Sequence, residues 1–458
     1  MSELHDLLED LAGAETRRGA SAVFEAATIQ VPRRRRTRRR VRVAAVLAAG
    51  LSVGLIAVGF LRDGGSAEPQ VRVGPDKTAP GVSGATAAEL ARGHWETIPP
   101  EPVFPRPDAV SVWTGSELIV WGGTPQTTAL SDSGRLGAAY NPETREWRNL
   151  APSPIELREG SAAVWTGTEM VVSDGRTGAA YTPATNTWRL IADPPLSKPR
   201  YVIGVWTGDR VVLLAGGGSE AAAYDPSTDR WRPLTVPASA HAPLGWQIAV
   251  RSGDGQFVAW SVWSTQKQTG PGSYQISGGT DVFSYEEQAE AWTALQPGDA
   301  AISIPEEAIW TGTRVLVRGD MHMPGASGPG PLPEVSAWYD PGTGEWARLP
   351  ADAMTDHLPA GHFSSAWTGR ALFSFNGQGE VSSRQVSIRR GDASVFDPNA
   401  NTWQRLPRSP VVCDSPMTPV WTGSTVIIYC SRLAGEQRAR VFGLEFVPGT
   451  APPPRTSD

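Results

Sequence analysis

Tyr224-Asp225-Pro226-Ser227-Thr228-Asp229-Arg230-Trp231 reads as the end of one strand, a tight turn and the start of the next. An aromatic residue ends the first strand, Asp-Pro makes the turn, and Trp opens the second strand. The phrase recurs as YNPETREW (140–147), YTPATNTW (181–188), YDPGTGEW (339–346) and FDPNANTW (396–403), with a drifted copy from Phe283 to Trp292. A second phrase, Trp-Thr-Gly, begins at Trp113, Trp165, Trp206, Trp310, Trp367 and Trp421, and Arg251-Ser252-Gly253 is a degenerate seventh copy. Small or β-branched residues precede each triplet and an apolar run follows, as in Val211-Val212-Leu213-Leu214. The triplet is therefore a hairpin turn whose Gly supplies the turn conformation.

Together the two phrases define a unit of four strands, A to D, with a long B–C loop. The unit repeats every 41 to 59 residues. Four short antiparallel strands at that period are the mark of a β-propeller blade. Seven hairpin triplets predict seven blades over residues 93–447. The last unit has no Trp-bearing strand D, whereas an unattached strand of that kind, His94-Trp95-Glu96-Thr97-Ile98, opens the domain. The N-terminal strand is thus expected to complete blade seven and leave no open sheet edge. Thirteen of the 18 Trp fall in these two slots, which makes them packing residues between sheets and not platforms for sugars.

Blade one carries Gly122-Gly123 after strand B, then Tyr140 and Trp147 and a Pro-rich link, and in this it resembles the kelch family. Gly216-Gly217 repeats the doublet in blade three, whereas blades two and five have Ser173-Asp174 and Arg318-Gly319 in its place. The resemblance implies the seven-bladed fold and leaves function open, because propellers host many activities. Galactose oxidase is an enzyme of this kind, so a copper site is the first chemistry to weigh. The five His of the domain, His94, His241, His322, His357 and His362, do not recur at one blade position. The expectation is no metal, no cofactor and no catalytic residue. No nucleophile elbow, phosphate loop or zinc-protease helix motif occurs in the sequence. Cys413 and Cys430 lie either side of the Trp421 hairpin, 8 and 9 positions from it, and are expected to form a disulfide.

The chain has 458 residues and a net charge of −6. Residues 1–62 hold 11 Arg against 6 acidic residues; the remainder is acidic, which argues against nucleic-acid binding. Arg outnumbers Lys 38 to 3, the mark of a GC-rich and hence bacterial genome. Val43–Leu61 is free of charge and, at about 1.5 Å per residue, just spans a ~30 Å hydrocarbon layer. Eight Arg between Arg33 and Arg42 precede it. By the positive-inside rule, residues 1–40 form a cytoplasmic tail, 41–62 a single membrane helix, and everything beyond lies outside the cell. A cleaved signal peptide is the competing reading, though its n-region would be unusually long. Residues 63–92 read as a flexible spacer and 448–458 as a disordered tail. Leu4, Leu7, Leu8 and Leu11 share one helical face, so the tail either aids insertion or docks a cytoplasmic partner. Its layout resembles that of membrane-anchored actinobacterial regulators such as anti-sigma factors.

Propeller ligands meet the face that carries the D–A and B–C loops. Just before strand A, successive blades place Arg106, Arg158, Arg200, His241, Glu306 with Glu307, His362 and Asp414 there. Three Arg on neighbouring blades suit a carboxylate or phosphate. Glu306 and His362 suit hydroxyl binding or acid–base work. Asp108, Glu159 and Glu306 are the candidate internal partners: if they neutralise the cluster the site is structural, and if they do not it should bind an acidic sugar, phosphate or acidic peptide. Long loops at 264–280, 320–335 and 376–392 overhang the same face. The expected function is recognition of a protein or glycan of the cell envelope. An enzyme acting on sugars or sugar acids, and a sensor signalling through the tail, are the alternatives.

Overall fold

The computed structural model describes residues 84–449 apart from 103–108, 124–134, 157, 159, 198, 217–219, 238–244, 271–272, 303, 321–333, 353–362, 377–379, 383–384, 388–391, 412–414, 417–418 and 433–439. The expected tail, membrane helix, most of the spacer and the final residues 450–458 lie outside them. Among the described residues no helix is long and apolar enough to cross a membrane.

Seven antiparallel sheets follow one another along the chain. Blade one comprises Val110–Trp113, Leu118–Trp121, Gly137–Asn141 and Glu146–Asn149. Blade two is Ala162–Trp165, Met170–Ser173, Gly178–Thr182 and Thr187–Leu190. Blade three is Tyr201–Trp206, Val211–Gly216, Ala221–Asp225 and Arg230–Leu234. Blade four is Trp246–Gly253, Gln256–Gly270, Ser273–Glu286 and Ala291–Leu295. Blade five is Ile304–Trp310, Val315–Asp320, Glu334–Asp340 and Glu345–Arg348. Blade six is Phe363–Trp367, Leu372–Asn376, Asp392–Asp397 and Thr402–Arg405. In blade seven, strand A is split into Ser415–Pro416 and Val420–Trp421; B is Val426–Arg432 and C is Arg440–Val447.

His94–Ile98 supplies the missing strand D of blade seven, with His94 opposite Val447 and Ile98 opposite Gly443. The ring closes as the repeat count requires. Each apolar cluster lies between neighbouring blades. One of them joins Ile427 and Tyr429 of blade seven to Leu118, Val120 and Tyr140 of blade one.

The Trp-Thr-Gly turn divides its work among three residues. Trp packs in the seam against the preceding blade, as Trp165 does with the blade-one cluster. Thr ties the turn shut: Thr114 Oγ1 accepts from Glu117 N–H at 2.9 Å, and Thr166, Thr207, Thr311, Thr368 and Thr422 repeat the bond. Gly takes the positive φ, 99° at Gly115. In the C–D turn the first Asx accepts from backbone N–H groups, as at Asn141 and Asp225. The residue before the strand-D segment is left-handed in every copy: Arg145, Asn186, Asp229, Glu290, Gly344 and Asn401.

Strand-D Trp does more than fill space. Its indole N–H donates across the seam to the link leaving the preceding blade. The bonds run from Trp147 to Pro99, Trp188 to Ala151, Trp231 to Ala192, Trp292 to Thr235, Trp403 to Pro350 and Trp95 to Pro407, at 2.7–2.9 Å. The Gly doublet of blade three has a packing reason. A Cβ on Gly216 would fall 2.1 Å from the ring of Tyr201, whose hydroxyl donates to the Trp246 carbonyl at 2.8 Å. Gly216→Ala is expected to force that ring aside and cost about 1–3 kcal/mol, read as a lower denaturation midpoint at unchanged slope.

Three expectations need correcting. The stretch 84–92 is not spacer. Thr86 and Glu89 form a reciprocal capping box on the helix Ala87–Ala91, and Leu90 is fully buried in the cluster shared by blades six and seven. Ala85 also forms a parallel bridge with Gly369. Second, 264–280 is a β-ribbon and not a loop: the B and C strands of blade four are 15 and 14 residues long, joined at Gly270-Pro271-Gly272. Its Thr, Tyr, Ile and Gln side chains suit a strand, and strand A ends its pairing at Ser261. The ribbon therefore runs on by roughly 30 Å past the blade. Residues 376–392 likewise contain a small ribbon, Glu380–Ser382 with Gln385–Ser387. Third, the blade-seven hairpin is centred on its turn and not on Trp421. Trp421 pairs with Val426, and Cys430 faces Pro416. Cys413 lies outside the described residues.

Candidate functional site

Strand direction gives the ring two faces. The A–B and C–D turns form one, here the turn face. The B–C loops and D–A links form the other, the loop face. Arg106, His241, His362 and Asp414, and with them Asp108 and Glu159, lie outside the described residues. Arg158, Arg200 and Glu306 are placed.

Arg158 leaves blade two's incoming link and is 61% exposed; its Nη1 lies 3.2 Å from Asp174 Oδ2. Its backbone is pinned by Ser161, which donates to the Arg158 carbonyl at 2.7 Å. Asp174 is itself held, its other oxygen accepting from Arg176 and Thr177 N–H at 2.9 Å. Arg158 is thus half neutralised, by a carboxylate that the spacing argument did not name. The signal was present: Asp174 stands where other blades carry the second Gly of their doublet, so that departure puts an acid on the loop face.

Arg200 occupies the equivalent link of blade three. It is exposed and in no ion pair among the described residues. It precedes Tyr201, whose phenol is pushed up by burial and drawn back by Arg200. Ser197, in the same link, donates its N–H to Glu220 at 2.7 Å. Among the described residues, blade three therefore presents an unpaired guanidinium and blade two one held in a single ion pair, both exposed. Such groups bind a carboxylate or phosphate through paired N–H donors.

Glu306 is half-buried, and its neighbour Glu307 is the one turned inward. Glu307 is 1% exposed and stands opposite Arg318, also 1% exposed. Ser365 links them: its N–H and hydroxyl donate to the two Glu307 oxygens at 2.7 Å, and Arg318 donates to the same hydroxyl and to Ser374 at 2.7 Å. The guanidinium also lies 5.4 Å from the Trp403 ring centre. Buried and satisfied, this network ties blade five to blade six, and no part of it opens to a ligand. Among the described residues no group of three or more His, Cys, Asp or Glu is placed to hold a metal.

No family model matches the sequence. No curated protein matches it either. Among solved structures, a fungal alcohol oxidase of the AA5 family, in complex with copper, is similar at a TM-score of 0.48 and 12% identity, over 78% of this chain and 76% of that one. A likeness that distant carries no argument about chemistry.

Proposed function

We propose that the propeller is a recognition module tethered through its N-terminal segment, with its loop face turned to a protein or glycan of the cell envelope. In this reading Val43–Leu61 is the membrane anchor, the N-terminus is cytoplasmic and the propeller stands outside the cell. The observation that supports it is where the described stretch of chain begins and ends. Ala85 bridges Gly369 in a Trp-Thr-Gly turn, and Gly449 N–H donates to the Glu89 carbonyl at 2.9 Å. Residues 84–94 and 447–449 thus lie at the turn face, opposite the loop face that carries Arg158 and Arg200. The kelch-like doublets Gly122-Gly123 and Gly216-Gly217 are in keeping with such a module.

The test is a thermal-shift panel of acidic and neutral glycans, phosphate and acidic peptides on the purified chain. An anionic ligand is expected to raise the melting temperature, less so at high salt. Arg200→Ala is expected to weaken its binding by about tenfold while leaving the unliganded melting curve in place. Binding unaffected by loss of both Arg158 and Arg200 would remove these links from the site. Turnover of a sugar in the panel would favour an enzyme.

A further inference from the structure

The seam that closes the ring carries its charges the other way round. In blades one to three the residue after strand-D Trp is Arg, which faces the left-handed residue or a Tyr of the next blade, while blades four to six have Thr293, Ala347 and Gln404 there. Arg148 and Arg189 also pair with Glu117 and Glu169 of their own blades. Arg148 Nη1 donates to the Tyr181 hydroxyl at 2.9 Å, and that hydroxyl donates to Asn186 at 2.8 Å. Arg189 Nη1 lies 3.1 Å from the Tyr224 hydroxyl and 3.6 Å from Asp229. Arg232 Nη1 lies 2.7 Å from Glu290. Cation on the leaving strand, acceptor on the receiving turn, is the rule for seams one–two, two–three and three–four.

At seam seven–one the strand residue is Glu96 and the turn residue is Arg145. Arg145 Nη1 lies 3.0 Å from Glu96 and 2.9 Å from Glu445, and its Nη2 donates to the Thr97 carbonyl at 3.0 Å. Glu445 is 5% exposed at its side chain and also accepts from Thr425 at 2.7 Å. Arg145 is therefore the countercharge of a buried carboxylate as well as the partner of the strand. The Tyr140 hydroxyl, which no Arg approaches from the preceding strand, is buried without a hydrogen-bond partner among the described residues.

We propose that this reversed polarity is a key that directs the N-terminal strand to blade seven. Strand D is nearly the same element everywhere: Trp95, Trp147, Trp188 and Trp231 all make the same indole bond across their seams. Trp therefore cannot tell one slot from another, and the residue after it can. Glu96 in the blade-two or blade-three slot meets Asp229 or Glu290. An Arg-bearing strand in the blade-seven slot sets its Arg beside Arg145, the two cations competing for Glu445 directly opposite. The N-terminal strand must find a partner more than 300 residues away, the slowest kind of contact to form. A half-exposed ion pair adds little by attraction alone. The force of the key is the repulsion it places between Glu96 and those two acidic turns, and between a foreign Arg and Arg145.

The test refolds the full chain from denaturant in mild detergent and measures the fraction recovered as monomer. Variants are Glu96→Arg, Arg145→Glu, the two together, and the neutral controls Glu96→Gln and Arg145→Gln. Each reversal is expected to cut the recovered fraction at least twofold below its neutral control, and the double reversal to return it to the controls' level. Recovery of either single reversal equal to its control overturns the key, and so does a double variant no better than the worse single.

Discussion

A chain lacking residues 84–98 is expected to lose its cooperative unfolding transition altogether. The deletion removes strand D of blade seven together with Leu90 and Ala87, which are buried between blades six and seven. It also removes Trp95, whose ring packs at 4.9 Å from Phe446, 5.5 Å from Phe375 and 6.1 Å from Phe373. Truncating a buried Leu costs about 2–5 kcal/mol and a buried Trp about 3–5. Together these rival the roughly 5–15 kcal/mol that holds a whole domain folded. Trp95→Ala alone should leave a folded protein, weaker by about 3 kcal/mol because the ring is only half-buried. Denaturant curves followed by Trp fluorescence read both. A deletion variant that melts where the parent does would mean that the ring does not need its N-terminal strand.

Arg318→Met is expected to be the most damaging single substitution within a blade, at about 3–5 kcal/mol. It leaves the Glu307 carboxylate inside the seam without its cation, although the methionine fills the space over Trp403. Glu307→Gln together with Arg318→Met should recover most of the loss, because the cost lies in the uncompensated charge and not in the missing contacts. Equal stability of the single and double variants would show that Glu307 is neutral in the fold.

The ring was legible because each of its rules is written several times. Seven hairpin triplets and a stray Trp-bearing strand determine the blade number and the closure. What could not be read is what occurs once. Asp174 and Arg318 both stand where a Gly doublet was expected, so the departures were visible; which of them faced solvent and which the seam depends on the packing of one particular blade. The helix Ala87–Ala91 is too short to show periodicity inside a Gly- and Ala-rich stretch, and only its Thr86–Glu89 capping box betrayed it. The ribbon of blade four reads as a loop in the sequence because it lies beyond the repeat, around Gly270-Pro271-Gly272. Of the Arg cluster, two members are placed and Asp174, the partner of one, was not among the named carboxylates, so the proposed loop-face site rests on Arg158 and Arg200.

The strap of residues 84–98 also decides how the ring bears tension. His94 pairs with Val447 at the end of the closing strand where both chain ends depart. A pull between the two ends peels that strand like a zipper, opening the pairs one after another from His94 to Ile98. A pull on the N-terminal segment against the body of the ring loads all five pairs together in shear. It must first also dislodge Leu90 and the Ala85–Gly369 bridge. The closing blade is therefore strong against a pull along His94–Ile98, and weak when residues 94 and 447 are drawn apart.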